Sequence, residues 1–264
     1  MEARAIPGGT PQDGREMRVF WLMGGALLLS LLLAVLLAAR PADASTRIKV
    51  QCNVYATNRV DPIAHTGHQH HQIGNTTTNE RSTGQELKNA NKTSCSDSWF
   101  TSAGWFPVAR NGNQVVPLAS KNQVIVYYRA PGDPTKVQPI PTGLGIITHD
   151  FKIKSGGNVT LTFPDCWDNG TLVPANMVFS HQGNCPSDHP YRIPRVSFQI
   201  RYNGPITSQT EVSSTMMGAS MDTWAPFNTE MHADYLAANQ DVFNDRLIDQ
   251  CLRHGTAGTD PACE

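Results

Sequence analysis

The chain has 264 residues, of which 39% are hydrophobic and 16% charged, and its formal net charge is -1 at pH 7. This balance gives no broad electrostatic argument for nucleic acid as a partner. The 21 Gly and 18 Pro residues predict a turn-rich, mostly β protein rather than a helical bundle.

The N-terminal segment, residues 1–44, has the pattern of an export signal. Basic residues precede an uncharged run from Val19 to Ala39. Ala42 and Ala44 complete a signal-peptidase pattern that places cleavage before Ser45. The same run exceeds the roughly 18 residues that an uncleaved membrane anchor needs. In both interpretations the rest of the chain is predicted to be secreted, or held at the outer face of the membrane by this segment alone.

Cysteine content agrees with export. The six cysteines are Cys52, Cys95, Cys166, Cys185, Cys251 and Cys263. An even number in an exported chain indicates disulfides, and the spacing does not fit a zinc site of CxxC type. Cys166–Cys185 is the first pair expected because it closes a short loop, a bridge worth roughly 3 kcal/mol in the chain-entropy model. Cys52–Cys95 and Cys251–Cys263 would complete the set.

Alternation of apolar and polar residues predicts strands along the exported part. The clearest segments are Ile48–Tyr55, Gln123–Arg129, Gly143–Lys154, Asn158–Phe163 and Arg195–Tyr202. Met231–Arg253 instead has apolar residues at helical spacing, and Gly255 follows as a stop signal. We therefore expect one β-sandwich or jelly-roll-like domain over residues 45–254, disulfide-bonded and with a C-terminal helical segment, followed by a tail of residues 255–264.

Residues 61–75, which read DPIAHTGHQHHQIGN, form the most distinctive polar stretch. They contain His65, His68, His70 and His71. On a strand, His68 and His70 would project from the same face. Imidazole titrates near neutral pH and is the commonest metal ligand, so the stretch predicts proton transfer or metal binding. A solvated histidine-rich loop is the alternative.

Several short motifs occur along the chain in the order of a known family. They are Arg59–Ile63, Gly67–His70, Gly74–Asn75, Thr93–Cys95, Trp105–Pro107, Tyr127–Arg129, Phe163–Gly170, Ser180–His181, Cys185–Pro194 and His232–Tyr235. Together they resemble the family called domain of unknown function 1996, found in secreted fungal and actinobacterial proteins. The resemblance covers about Cys52 to Cys251. Here Ala233 stands where the late motif usually has Gly, and His71 is an additional histidine.

The resemblance implies a partner but no defined activity, because the family name assigns none. Fungal relatives are often fused to cysteine-rich sugar-binding modules. By analogy, this association points to an extracellular or cell-wall polysaccharide as the partner. Nucleic acid is not expected, and the membrane is expected only through residues 1–44.

The first functional hypothesis is a polysaccharide hydrolase or lyase. Hydrolysis needs two carboxylates about 5–10 Å apart, for which Asp168 and Asp234 are the candidates and Asp61 is in reserve. A lyase needs a base and a group that stabilises negative charge. The full set of catalytic candidates is His68, His70, His232, Asp234 and Asp168. The expected substrate-binding residues are Asp61, Tyr128, Arg129, Trp167, His189 and Arg192.

Two further hypotheses remain open from the sequence. In one, His68, His70 and His232, or Asp234, bind Zn²⁺ or another divalent ion, which would be the cofactor. In the other, the domain is a non-catalytic cell-wall binding or structural module and its histidines are structural. Aromatic residues would then stack on sugar rings, the candidates being Trp99, Phe100, Trp105, Trp167 and Trp224.

Overall fold

The structure is a computed structural model that describes residues 47–65, 67–215, 223–254 and 262–264. The predicted signal or anchor segment lies outside these ranges. Among the described residues, no helix has the length and hydropathy needed to cross a membrane.

Short antiparallel strands make up most of the described chain. In order they are β1 (Arg47–Cys52), β2 (Ala56–Asn58), β3 (His70–Gly74), β4 (Ala103–Pro107), β5 (Ala109–Asn111), β6 (Gln114–Val115), β7 (Val124–Arg129), β8 (Gly145–Thr148), β9 (Phe151–Ile153), β10 (Asn158–Thr162), β11 (Cys166–Leu172), β12 (Ala175–Val178), β13 (Tyr191–Arg192), β14 (Arg195–Arg201), β15 (Thr210–Ser214), β16 (Thr223–Pro226) and β17 (Ala233–Leu236). They form two five-stranded sheets and two smaller ones.

The first sheet has the order β1-β7-β14-β10-β9. Its longer strands alternate between buried apolar and partly exposed polar positions. Such alternation is typical of a sheet with one face on the core and one towards solvent. The sequence predicted these strands for the same reason.

The second sheet has the order β2-β3-β4-β17-β8 and packs face to face with the first. Tyr128 of β7 contacts Tyr235 of β17 through their hydroxyls at 3.1 Å. Gly104 of β4 meets the ring of Phe198, where an added Cβ would lie only 2.6 Å from a ring carbon. Glycine is therefore required for the two layers to approach here. The predicted β-sandwich-like, mostly β fold is confirmed.

Two smaller sheets extend the sandwich. One has the order β16-β15-β5-β6 and the other β12-β11-β13. Helix α1 (Gly84–Ala90) begins with a capping box formed by Thr83 and Glu86. Helix α2 (Phe227–Glu230) is a single turn. Two 3₁₀ turns cover Pro134–Lys136 and Ser155–Gly157.

The C-terminal helical segment is shorter than predicted. A helix of π type covers Phe243–Arg253 and stacks Phe243 on Trp99. The prediction of a helical stripe from Met231 was wrong for Ala233–Leu236, which is β17. Backbone pairing with β4 and β8 on both sides outweighs local periodicity there.

All three predicted disulfides are present: Cys52–Cys95, Cys166–Cys185 and Cys251–Cys263. The last one joins the C-terminal helix to residues 262–264, whose backbone hydrogen-bonds to Arg47 and Lys49 of β1.

Candidate functional site

Three histidines from distant parts of the chain meet at one end of the second sheet. His70 opens β3 and His68 precedes it, while His232 stands immediately before β17. Strand β4 lies between β3 and β17 and pairs with both of them. The early histidine motif and the late one are thereby brought together across 162 residues of sequence.

The three imidazoles point their Nε2 atoms at one another. The Nε2 of His232 lies 3.2 Å from that of His68 and 3.4 Å from that of His70. One possible ligand atom from each residue lies within 4.8 Å of the ligand atoms of the other two. We call these three residues the histidine cluster. Nitrogens converging in this way form an arrangement that can hold a single metal ion.

Burial keeps the histidine cluster uncharged. It lowers the pKa of His68, and lowers that of His70 well below the usual range with further contributions from the neighbouring histidines. Burial also lowers the pKa of His232 to about 4. Neutral imidazole is the form that binds a metal, so no proton has to leave the cluster at neutral pH.

His232 also has its ring orientation fixed. Its Nδ1 lies 2.8 Å from the backbone carbonyl oxygen of Glu230 and donates its proton there. Nε2 is then left with a lone pair directed at the other two rings. A backbone carbonyl in this role is the usual outer partner of a metal-binding histidine.

Two buried carboxyl groups lie next to the cluster. The Oδ2 of Asp234 is 3.8 Å from the Nε2 of His232 and has no hydrogen-bond partner. Burial, and then the charge of Asp61, raise the pKa of Asp234 well above its ordinary value. The Oδ1 of Asp61 accepts hydrogen bonds from the backbone N–H of Ile63 and Ala64, at 3.1 and 2.9 Å.

A cavity of about 220 Å³ opens onto this group. Its lining residues are Asp61, Ala64, His68, Ile147, His149, Ser214, Thr215, Glu230, His232 and Asp234. Because His68, His232 and both carboxyl groups line it, a small part of a larger ligand placed in this cavity would lie next to them.

The sequence did not single out His149 as a site residue. It follows β8, is exposed, and has its ring 5.4 Å from that of His232. A lone histidine inside a segment predicted as strand (Gly143–Lys154) gave no signal, since its importance comes from β8 pairing with β17.

The remaining two histidines of residues 61–75 lie outside the cluster. His71 projects to the opposite face, where its Nδ1 is 2.9 Å from the hydroxyl of Thr57. His65 is exposed and lies 3.6 Å from a carboxylate oxygen of Glu80.

Asp168 lies elsewhere than the other catalytic candidates. It is on β11, at a partly exposed position, and is not among the residues lining the cavity. Its carboxylate accepts hydrogen bonds from the N–H of Gly170 and the side chain of Asn176. These bonds lower its pKa. The carboxyl groups that accompany the histidines are therefore Asp234 and Asp61, the residue held in reserve.

Two of the expected substrate-binding residues lie in the first sheet. Tyr128 is fully buried and hydrogen-bonded to Tyr235 and Asn239, which leaves its hydroxyl out of reach of a ligand in the cavity. Arg129 is at a partly exposed position of β7. Neither lines the cavity.

The other three belong to the β12-β11-β13 sheet or its connecting loop. Trp167 is buried against Tyr191. His189 and Arg192 are buried too, and Arg192 pairs with Cys166. Of the predicted substrate-binding residues, Asp61 lies at the cavity beside the histidine cluster, and the other five do not line it.

Comparison with known families accounts for the spacing of the motifs. A family model described as a domain of unknown function (DUF1996) matches residues 59–158 and 148–238. The chain belongs to the DUF1996 family. The matched segments of this DUF1996 chain contain the whole histidine cluster together with Asp61 and Asp234. Searches of curated proteins and of solved structures found no match.

Proposed function

We propose that this DUF1996 chain is an exported enzyme that binds one divalent transition metal through the histidine cluster and acts on an extracellular or cell-wall polysaccharide. The observation that carries the proposal is the convergence of one imidazole nitrogen from each of two buried histidines, His68 and His70, and the partly buried His232, all within 4.8 Å of one another. Hydrolysis and lyase chemistry are the two reaction classes.

The ligand set favours a transition metal. Imidazole suits Zn, Cu, Fe and Ni, whereas Mg and Ca prefer oxygen ligands. Three protein ligands with an open position are typical of a catalytic centre, while a structural zinc site closes with four. The open cavity next to His68 and His232 supports the catalytic interpretation.

The surrounding residues supply proton transfer. A bound metal would activate water or stabilise negative charge on the substrate. In a hydrolase, Asp234 and Asp61 are the two carboxyl groups placed to exchange protons with water or the leaving group. In a lyase, a cluster histidine or Asp234 would remove the proton beside a uronate carboxylate, and a bound metal would stabilise the negative charge that develops there.

Export and the polysaccharide partner have separate support. Three disulfides are typical of an oxidising compartment outside the cytoplasm. The choice of a polysaccharide as the partner rests on an analogy with family relatives that are fused to sugar-binding modules.

The non-catalytic alternative has lost most of its proposed stacking surface. Of the five aromatic candidates, Trp99, Phe100, Trp105 and Trp167 are buried. Trp224 is partly exposed, but the guanidinium of Arg110 covers its ring at 4.0 Å. We therefore favour an enzyme over a binding module.

Metal titration tests the proposal directly. The chain is stripped with EDTA, and Zn²⁺, Cu²⁺, Ni²⁺ and Co²⁺ are each titrated by calorimetry. We expect one ion per chain, with affinity reduced about 100-fold or more in His68→Ala and His232→Ala. His181→Ala is the matched control, because His181 is exposed on a turn outside the cluster. Absence of binding, or equal binding by His68→Ala, would refute the metal site.

Turnover is tested separately on a panel of neutral and acidic glycans, with and without chelator. A hydrolase releases new reducing ends, and a lyase also forms an unsaturated uronate that absorbs ultraviolet light. Metal binding without turnover on any glycan would leave the metal site standing and remove the enzymatic part of the proposal.

A further inference from the structure

The outer face of the first sheet is strongly basic in a chain whose net charge is only -1. None of the residues in its five strands is Asp or Glu. Its cationic side chains are Arg47, Lys49, Arg129, Lys152, Arg195 and Arg201. We call these residues, together with Tyr127, the basic face.

Three guanidinium groups lie in a row across adjacent strands. Arg129 of β7 is directly opposite Arg47 of β1 on one side and Arg195 of β14 on the other. Neighbouring strands are about 4.8 Å apart. In the next row Tyr127 has the guanidinium carbons of Arg47 and Arg129 at 4.9 and 4.8 Å from its ring centre.

Nearby carboxylates neutralise the edges of this row but not its centre. Glu264 forms ion pairs with Arg47 and Lys49, and Asp165 forms one with Arg195 at 2.9 Å. Arg129 instead donates a long hydrogen bond of 3.5 Å to the hydroxyl of Ser197. Burial and the charge of Arg47 lower the pKa of Arg129. An anion placed over Arg129 would relieve this like-charge repulsion.

The basic face and the histidine cluster lie on opposite sides of the sandwich. Tyr128, next to Arg129, projects inward and meets Tyr235 between the two layers. Asp234, next to Tyr235, projects away from that interface towards the cavity, because neighbouring side chains on a strand alternate. Binding at the basic face therefore does not depend on the cavity or on a metal.

We propose that the basic face binds an acidic polysaccharide whose sugars carry carboxylates. Guanidinium groups match planar carboxylates through paired hydrogen bonds. Arg129, which has no ion pair among those described above, would be the main contact, and the neighbouring cations would add to the positive potential. The ring of Tyr127, over which the guanidinium groups of Arg47 and Arg129 lie, holds these two charges beside each other. Such binding would hold the protein on an anionic extracellular matrix while the opposite side stays free.

The test uses the full chain and polygalacturonate as the probe, with affinity measured at low and at raised salt. The variant is the double change Arg129→Gln with Lys152→Gln, which removes two cations without breaking an ion pair described above. We expect it to bind about tenfold more weakly and with a smaller salt dependence. Lys92→Gln is the control because Lys92 is exposed on the turn after α1, outside the basic face, and its binding should stay unchanged.

Several results would overturn the proposal. These are no binding of polygalacturonate at low salt, equal binding by the double variant and the control, or tighter Arg129-dependent binding to duplex DNA or phosphatidylglycerol vesicles. A neutral glucan should not bind at this face. Thermal melting of each variant checks that it is folded. EDTA-treated protein should bind polygalacturonate as well as the untreated protein does, which separates this outcome from the fate of the metal site.

Discussion

Lowering the pH should destabilise the metal-free protein through His71, a buried histidine outside the cluster. Burial lowers its pKa from 6.5 to about 4. Since the unfolded chain takes up a proton more readily than the folded one, stability is full above the unfolded pKa and is lost as the pH falls below it. One pKa unit corresponds to about 1.36 kcal/mol, so His71 alone should cost about 2 kcal/mol between pH 7.5 and pH 5.

The assay compares urea unfolding of EDTA-treated wild type and His71→Asn at pH 7.5, 6 and 5. The comparison is necessary because other groups titrate as well. The cluster histidines act in the same direction as His71, whereas the raised pKa of Asp234 acts in the opposite one. Asparagine keeps a polar atom near the hydroxyl of Thr57 but cannot be protonated. We expect the difference in unfolding free energy between the two proteins to shift by about 2 kcal/mol in favour of the variant at pH 5. A difference that does not change with pH would refute the assignment of His71 as a buried neutral imidazole.

Three other predictions address the site and the core. Asp234→Asn should reduce turnover on a responsive glycan at least 100-fold, whereas Asp168→Asn should leave kcat within about twofold; the reverse pattern would make Asp168 the catalytic carboxylate. Added Zn²⁺ should raise the melting temperature of the EDTA-treated wild type but not of His70→Ala, and an equal rise in both would mean that the ion binds elsewhere. Gly104→Ala should cost about 1–3 kcal/mol in denaturant unfolding, because its Cβ would lie 2.6 Å from the Phe198 ring. The double change with Phe198→Leu should recover part of that loss, and additive losses would argue against this contact.

Local patterns were sufficient to predict much of the fold. Strict alternation in β1, β7 and β10 reflects one buried and one solvated face, which is a property of each strand by itself. The expected disulfides were confirmed because each one joins two cysteines that follow one another in the sequence. The segment around β17 was the exception, since its four residues are strand only because two neighbours pair with them. The sequence of Ala233–Leu236 alone does not indicate which strands pair with it.

The site was predictable in part for the same reason. His68 and His70 could be grouped because they are two residues apart, and the family motifs pointed to His232 and Asp234. Asp168 has a similar motif context, yet it lies on a different sheet. His149 reaches the cavity only through the position of β8. Sequence motifs identified which residues recur, whereas strand order decided which of them share one cavity.

The central position of β17 makes the cluster depend on a late part of the chain. During synthesis, residues 47–215 are made before His232, and until β17 inserts between β4 and β8 only two of the three imidazoles are in place. A precursor stalled or clipped before residue 232 would lack both the middle of its second sheet and the third ligand. The histidine cluster would then be complete only in chains that have been made in full.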